Sequence, residues 1–455
     1  MTWTHRLIEA DWLDTGPADP IPWADAAELT PRLRRARALG YSHLLVYGDR
    51  EHYANLLWAT GFDPRFEEAL LILPATGTPL LLVGNECEGY LRISGLYNAG
   101  LLRGEVYPPF SLMDQPRGHG RDLRSILVAE GLNAHSHIGV VGWKDYALPT
   151  HSDLPSYLVD LLREFAPVEN ATRAFTRLRA QASPWEIAFF EGSNVAAADG
   201  MRRILFGVRE GLTDHQLAQQ AGYNGLPMAC HWTLKTGPTR VSLASASGNV
   251  VRRGEFFSAN ISYWGSNCCR CGWLASDASD APAGYVDDFA GPYVAAMAAW
   301  LEHLTIGRPG GEIVDLINGL LPFDRFGIFL NPGHLISYDE WPGSPIYTGS
   351  TEPLTSGMVF QSDVIPSSTT FSSTRMEDSF ALADAALRAA LAEQFPAAYA
   401  RIEQRRQFMT ETLGFVLPPE VLPLADLCGI VPPFLFEPNT LIAPTRQTSA
   451  PAEIC

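Results

Sequence analysis

Positive charge is scarce in this chain of 455 residues: 33 basic residues face 50 acidic ones, for a formal net charge of −17. A surface of that sign repels polyanions, which argues against nucleic acid or an anionic membrane as its main partner. Long apolar runs are also missing. The longest, Ala69 to Val83, is interrupted by Pro74 and Gly77. It is too short to cross a bilayer and reads as two strands with a turn. The first twenty residues hold no apolar run with a small-residue cleavage site, so no signal peptide is expected and the chain is expected in the cytoplasm. No disulfide framework is visible either. The seven cysteines are odd in number and crowd at Cys268, Cys269 and Cys271, which favours reduced thiols. No repeat of fixed period is seen.

What is present is core material. Apolar residues make up 46% of the chain, aromatic residues 11% and charged residues only 18%. A disordered or fibrous chain is excluded, and at about 150 residues per domain two or three domains are expected. The low charge and high aromatic content suit a metabolic enzyme with buried subunit interface.

Apolar periodicity predicts a helix over Leu29 to Leu39 and strands at His43 to Tyr47, Ala69 to Leu73, Leu80 to Val83 and Ile138 to Val141, before an amphipathic segment, Ser156 to Phe165. This describes an α/β domain over residues 1–178. A second domain, 179–405, opens at Ala182-Ser183-Pro184-Trp185-Glu186, where an N-cap, a first-turn proline and an acid favourable to the helix dipole coincide. Strands are expected near Ala229 to Leu234, Phe256 to Tyr263, Cys268 to Leu274, Phe326 to Leu330, Met358 to Ile365 and Phe380 to Leu382. Helices are expected at Pro292 to Thr305 and Gly311 to Leu320. Mixed helices and antiparallel strands make this an α+β domain. Residues 406–455 are rich in proline and read as an extended tail on the surface of the fold or of a partner subunit.

Several segments, in order, resemble the creatinase, prolidase and aminopeptidase P group. They are Gly61-Phe62-Asp63-Pro64-Arg65-Phe66, the helix start Ala182 to Ile187, and the turn Arg252-Arg253-Gly254-Glu255. Asn331-Pro332-Gly333-His334, Ser356-Gly357-Met358-Val359-Phe360 and Met376-Glu377-Asp378 complete the set. The resemblance spans about residues 29 to 400. It implies a pita-bread catalytic domain preceded by a smaller α/β creatinase-type amino-terminal domain. It also implies a homodimer in which part of the site comes across the interface, with Arg65 reaching into a neighbour's site.

Members of that group cut C–N bonds with two divalent metals held by two Asp, one His and two Glu, or, in creatinase, with no metal. Here the first Asp position falls on Asn260, the second near Cys271, and the first Glu on Asp363, while Glu377 is retained and His334 stands at or beside the His. Two neighbouring divalent ions need several carboxylates, and a neutral amide supplies only a weak carbonyl ligand. No resident cofactor is therefore expected. A single Zn or Mn ion on Cys271, His334, Asp363 and Glu377 is the fallback.

Other residues carry candidate chemistry, each beside a plainer reading. His231, on an expected apolar strand, is a candidate base or a hydrogen-bonded core residue. It does not align with creatinase's catalytic His, whose position falls in Val241-Ser242-Leu243. Arg270 is a carboxylate clamp or a structural ion pair, and strand alternation sends it to the face of Cys268, opposite Cys269 and Cys271. Tyr338, Asp339 and Glu340 stand near the family's His-Glu-x-Pro segment as substrate contacts or solvated loop residues. Asp363 and Glu377, if they face one another, form an acid/base pair through mutual repulsion.

The expected function is thus a creatinase-like hydrolase acting on a C–N bond of a small polar compound. The alternatives are a metal-dependent Xaa-Pro peptidase with altered ligands and a non-catalytic small-molecule-binding protein.

Overall fold

The computed structural model describes residues 2–118, 120–238 and 243–447. Two compact units are present: residues 22–180, and residues 1–21 together with 181–455.

In the first unit a six-stranded mixed sheet runs in the order Arg103–Val106, Leu80–Val83, Ala69–Pro74, His43–Gly48, Ile138–Val141, Val168–Asn170. His43–Gly48 pairs antiparallel with Ala69–Pro74 and parallel with Ile138–Val141. The central strands are near-continuous Val, Ile and Leu because both faces are covered, and Leu45, Ile72, Leu82 and Val140 pack with Leu127 and Leu158 from the flanking helices.

The second unit is built on two four-stranded antiparallel sheets. One has the order Arg375–Glu377, Ser266–Trp273, Phe256–Tyr263, Thr233–Gly237; the other has His334–Leu335, Val359–Gln361, Ser379–Leu382, Val421–Pro423. Helix Pro184–Gly207 lies against the first sheet. Its start is a capping box: Ser183 accepts from the Glu186 N–H, Glu186 accepts from the Ser183 N–H, and Pro184 fills the first turn.

Three expectations change. The opening residues belong with the second unit, because Thr2–Glu9 pairs antiparallel with Thr440–Gln447. The final stretch is no surface tail: Leu424, Ile430, Leu441 and Ile442 are fully buried. A buried network fastens it, in which Glu191 receives Arg401 and Arg405, and Arg405 also bonds Asp426, which accepts from Thr15. Phe326 to Leu330 forms no strand. Gly327 takes φ +55, its Cβ position would fall 2.6 Å from the Ser367 carbonyl oxygen, and Phe329 is left 70% exposed.

Candidate active site

Strand pairing sorts the cysteine-rich strand Ser266–Trp273 into two chemically different faces. Cys269 lies opposite Glu377, Arg270 opposite Met376 and Cys271 opposite Arg375. Since alternate residues share a face, Cys269, Cys271, Arg375 and Glu377 stand together, and Cys268, Arg270 and Asp378 occupy the other side.

On that second side Arg270 is saturated. Its guanidinium donates to both Asp378 carboxylate oxygens, at 3.0 and 2.8 Å, and to the carbonyls of Ile430, Leu427, Cys269 and Glu377. The expected substrate clamp is instead an internal ion pair, because no donor is left to offer.

The other side holds the chemistry. His334, fully buried, pairs in register with Gln361, two residues before Asp363. Gln361 donates to the Asn267 carbonyl at 2.5 Å and so ties the two sheets together. The His334 Nδ1 meets the Leu335 carbonyl at 2.8 Å, which fixes that nitrogen as the donor and turns Nε2 inward. Nε2 lies 3.1 Å from Glu340 Oε1 and 3.7 Å from Asp363 Oδ2, ion-pair contacts without hydrogen-bond alignment. Trp341 stacks on the imidazole at 3.9 Å between ring centres. Burial opposes protonation of His334, but the Glu340 and Asp363 carboxylates outweigh it and hold the imidazole above its ordinary value.

Asp363 and Glu377 perturb each other. Burial, then repulsion from Glu377, pushes the Asp363 carboxyl well above the usual carboxylate range, against the pull of His334 and Arg375. Burial also raises Glu377, with Arg375 opposing and Glu340 adding to the rise. One carboxyl of such a pair keeps its proton and donates to the other. Asn267 donates to Glu377 Oε1 at 2.7 Å, and Asn260 donates to Asn267 at 3.1 Å, so Glu377 is aimed by an amide chain.

The fold's metal positions are tested by their own bonds. The Asn260 Oδ1 already accepts from the Thr233 N–H at 2.6 Å and from the Thr233 hydroxyl, leaving its oxygen engaged. Cys271 faces the Arg375 cation. A two-metal site does not fit this donor set. One ion does fit: His334, Glu340 and Glu377 each bring a ligand atom within 4.8 Å of the other two, and the buried His334 Nε2 lacks an aligned partner. This differs from the fallback set, since Glu340 stands where Cys271 and Asp363 were expected.

The remaining candidates fall elsewhere. His231 is exposed and precedes the strand, which begins at Thr233; its carbonyl oxygen accepts from Asn260 at 3.3 Å. Tyr338 is buried among Phe190 and Trp264, with its hydroxyl 3.4 Å from Glu186 rather than at His334. Asp339 is half-buried beside it, and its carbonyl accepts from the Ser337 N–H. Arg65 belongs to the other unit, where it bonds Tyr90 and pairs with Asp63. Val241 and Ser242 lie outside the described residues. A cavity of about 530 Å³ lies against helix Pro184–Gly207 under residues 13–21, and none of the candidate residues lines it. Sequence reading missed Arg375 and Asn267. Arg375 was within reach, since a residue two positions before Glu377 on a strand shares its face.

No family model matches the sequence, and no curated protein matches it significantly. Solved structures do. The prolidase of Pyrococcus horikoshii aligns with a TM-score of 0.61 over 78% of this chain and 95% of its own, at 13% identity. The X-Pro aminopeptidase of Thermotoga maritima gives 0.58 over 77% and 95%, at 16% identity. The N-terminal domain of the FACT complex subunit SPT16 from chickpea, Cicer arietinum, gives 0.56 over 78% and 94%, at 13% identity. At these identities the likeness establishes the fold. The chain has the α+β pita-bread fold of the creatinase and prolidase group, with that group's smaller amino-terminal domain. One fold serves both enzymes and a complex subunit, so activity has to be argued from the residues.

Proposed function

We propose that this protein is a hydrolase acting on a C–N bond of a small polar compound, through His334, Asp363 and Glu377 and without a two-metal centre. The observation that carries the reading is the buried meeting of Asp363 and Glu377 beside the inward-facing His334 Nε2. Glu377, aimed by Asn267, takes a proton from water as it attacks the carbon. Asp363, which keeps its proton, delivers it to the departing nitrogen. His334, whose hold on a proton the Glu340 carboxylate strengthens, steadies the negative charge that develops on oxygen. A single Zn or Mn ion on His334, Glu340 and Glu377 would supply Lewis acidity to the same oxygen. Trp341, 37% exposed, and the partly exposed Glu340 form the rim from which a ligand reaches His334.

The assembly proposed is a homodimer acting on a small molecule and residing in the cytoplasm, with neither nucleic acid nor membrane as partner. Exposed Phe323 and Phe329 supply apolar surface for a subunit contact, and among the described residues no helix is long and apolar enough to cross a membrane. A monomer in light scattering at micromolar concentration would contradict the dimer.

The activity is tested by release of free amine from a panel of Xaa-Pro dipeptides and small N-acyl and guanidino compounds, with and without chelator. Turnover that survives chelation and is lost in Glu377→Gln supports the reading. Turnover that needs two metal equivalents overturns it. Binding without turnover across the panel favours a ligand-binding protein, a reading supported by how completely His334, Asp363 and Glu377 are buried.

A further inference from the structure

The cavity of about 530 Å³ between the opening segment and helix Pro184–Gly207 has no part in the hydrolytic reading, since its walls include none of His334, Glu340, Asp363 and Glu377. Its size falls within the range of about 300–1,000 Å³ usual for small-molecule sites. The segment over it is fastened on both sides of Gly16. The Trp12 indole N–H donates to the Pro438 carbonyl, Asp14 pairs with Arg202 at 2.6 Å, and Thr15 donates to Asp426 from both its backbone and its hydroxyl. Residues 13–21 form no helix or strand, so this covering is held by side chains rather than by a ladder.

The helix face beneath is cut low. Phe189, Gly192, Ser193 and Ala196 follow helical spacing, and three of these four are too small to fill the space. Ser193 is 95% buried on its 5% exposure, lines the cavity, and among the described residues its hydroxyl has no hydrogen-bond partner. A buried hydroxyl without a partner is uncommon, and this one borders the empty space. Charge around the cavity is one-sided, with Asp14, Asp19, Asp199 and Asp426 against Arg202. Arg202 is shared by Asp14 and Asp199, and Asp426 is taken by Arg405. Asp19, exposed at the rim, makes no ion pair among the described residues.

We propose that this cavity is a second small-molecule site, separate from the His334 chamber, that takes an organic amine with a flat apolar body. The body lies on the low helix face between Phe189 and Ala196, a polar atom of its ring bonds the Ser193 hydroxyl, and the ammonium group meets Asp19 at the rim. The surplus of carboxylates selects the cation over an anion of the same shape.

The test is calorimetric binding to the full chain, at constant ionic strength, of tryptamine against indole-3-propionate, which exchanges the ammonium for a carboxylate on the same ring and linker. Tryptamine should bind, and the acid should bind at least about tenfold more weakly, a difference readily resolved in the dissociation constant. Asp19→Asn, an exposed change, should narrow that gap. Ser193→Ala should weaken tryptamine by roughly fivefold, as for one neutral hydrogen bond. Ala196→Phe, which fills the cavity, should abolish binding, and Glu377→Gln in the other chamber should leave it unchanged. Circular dichroism reports whether each variant folds, and if Ala196→Phe does not, Asp19→Asn and Ser193→Ala carry the test. No binding of tryptamine at millimolar concentration, equal affinity for amine and acid, wild-type affinity in a folded Ala196→Phe or in both smaller variants, or loss of binding in Glu377→Gln would overturn the proposal.

Discussion

Arg270 and Arg375 sit on adjacent strands of one sheet, both largely buried, and differ in almost everything that matters. Arg270 gives its donors to Asp378 and four backbone carbonyls; Arg375 gives none. The register explains the split. Alternation turns Arg270 to the side where residues 427–430 supply carbonyl acceptors, and turns Arg375 to the side of Cys271, Glu377 and the inward-facing imidazole. One sheet thus carries a structural face and a chemical face, separated by a single residue step. A fully satisfied buried ion belongs to the scaffold, whereas a buried guanidinium without hydrogen bonds is the exception among buried polar groups.

Truncating the structural ion should show the largest effect. Arg270→Met leaves the buried Asp378 without its counter-ion, at a cost of about 3–5 kcal/mol, read as a fall in the urea midpoint. Adding Asp378→Leu should restore much of that loss, since an apolar pair of similar volume carries no desolvation penalty. On the chemical face Glu377→Gln should lower turnover by about a hundredfold or more, as for loss of a proton-transfer group, with the unfolding midpoint little changed. His334→Ala should do the same.

The pH dependence sharpens the contrast. The Asp363 carboxyl is raised in the fold, so the folded protein holds a proton that the unfolded chain releases above about pH 3.9. Stability on this account falls as pH rises from that ordinary carboxylate value towards the raised one, and the proton-linked advantage is complete only below the window. Asp363→Asn should flatten the fall in melting temperature measured across that window. Part of the slope should remain, because Glu377 and Asp378 are raised as well. The smallest effect is expected for Arg375→Met, within about 1 kcal/mol of wild type, since it removes a buried charge with no hydrogen bonds to lose. A loss as large as that of Arg270→Met would erase the distinction between the faces.

Much of the fold was legible because its signals are local. Ser183-Pro184-Trp185-Glu186 encodes its own helix start, and the apolar runs at 43–47, 69–73 and 138–141 leave few alternatives for a buried sheet. What escaped was long-range. Nothing near Thr2–Glu9 says that its partner is Thr440–Gln447, more than four hundred residues away, and the proline-rich end gives no hint that Asp426 closes on Arg405 and Thr15. The site shows the same limit. His334, Asp363 and Glu377 were readable as a group through resemblance, and their residue types survive as a chemically sensible set. Glu340 was readable only as a loop acid, because its 3.1 Å approach to His334 depends on how the segment 335–340 folds back. Tyr338 looked equally suitable, yet two residues earlier the chain points into the aromatic core.

The account turns on Asn260 and Cys271 having ended two-metal binding while His334, Glu340 and Glu377 keep room for no more than one ion. Elemental analysis of the purified full chain after equilibration with manganese or zinc, followed by removal of loosely held ions, measures this directly. The account predicts at most one equivalent per chain, dependent on Glu340 and unaffected by Cys271→Ser. Two equivalents per chain, both lost in Asn260→Ala, would contradict it.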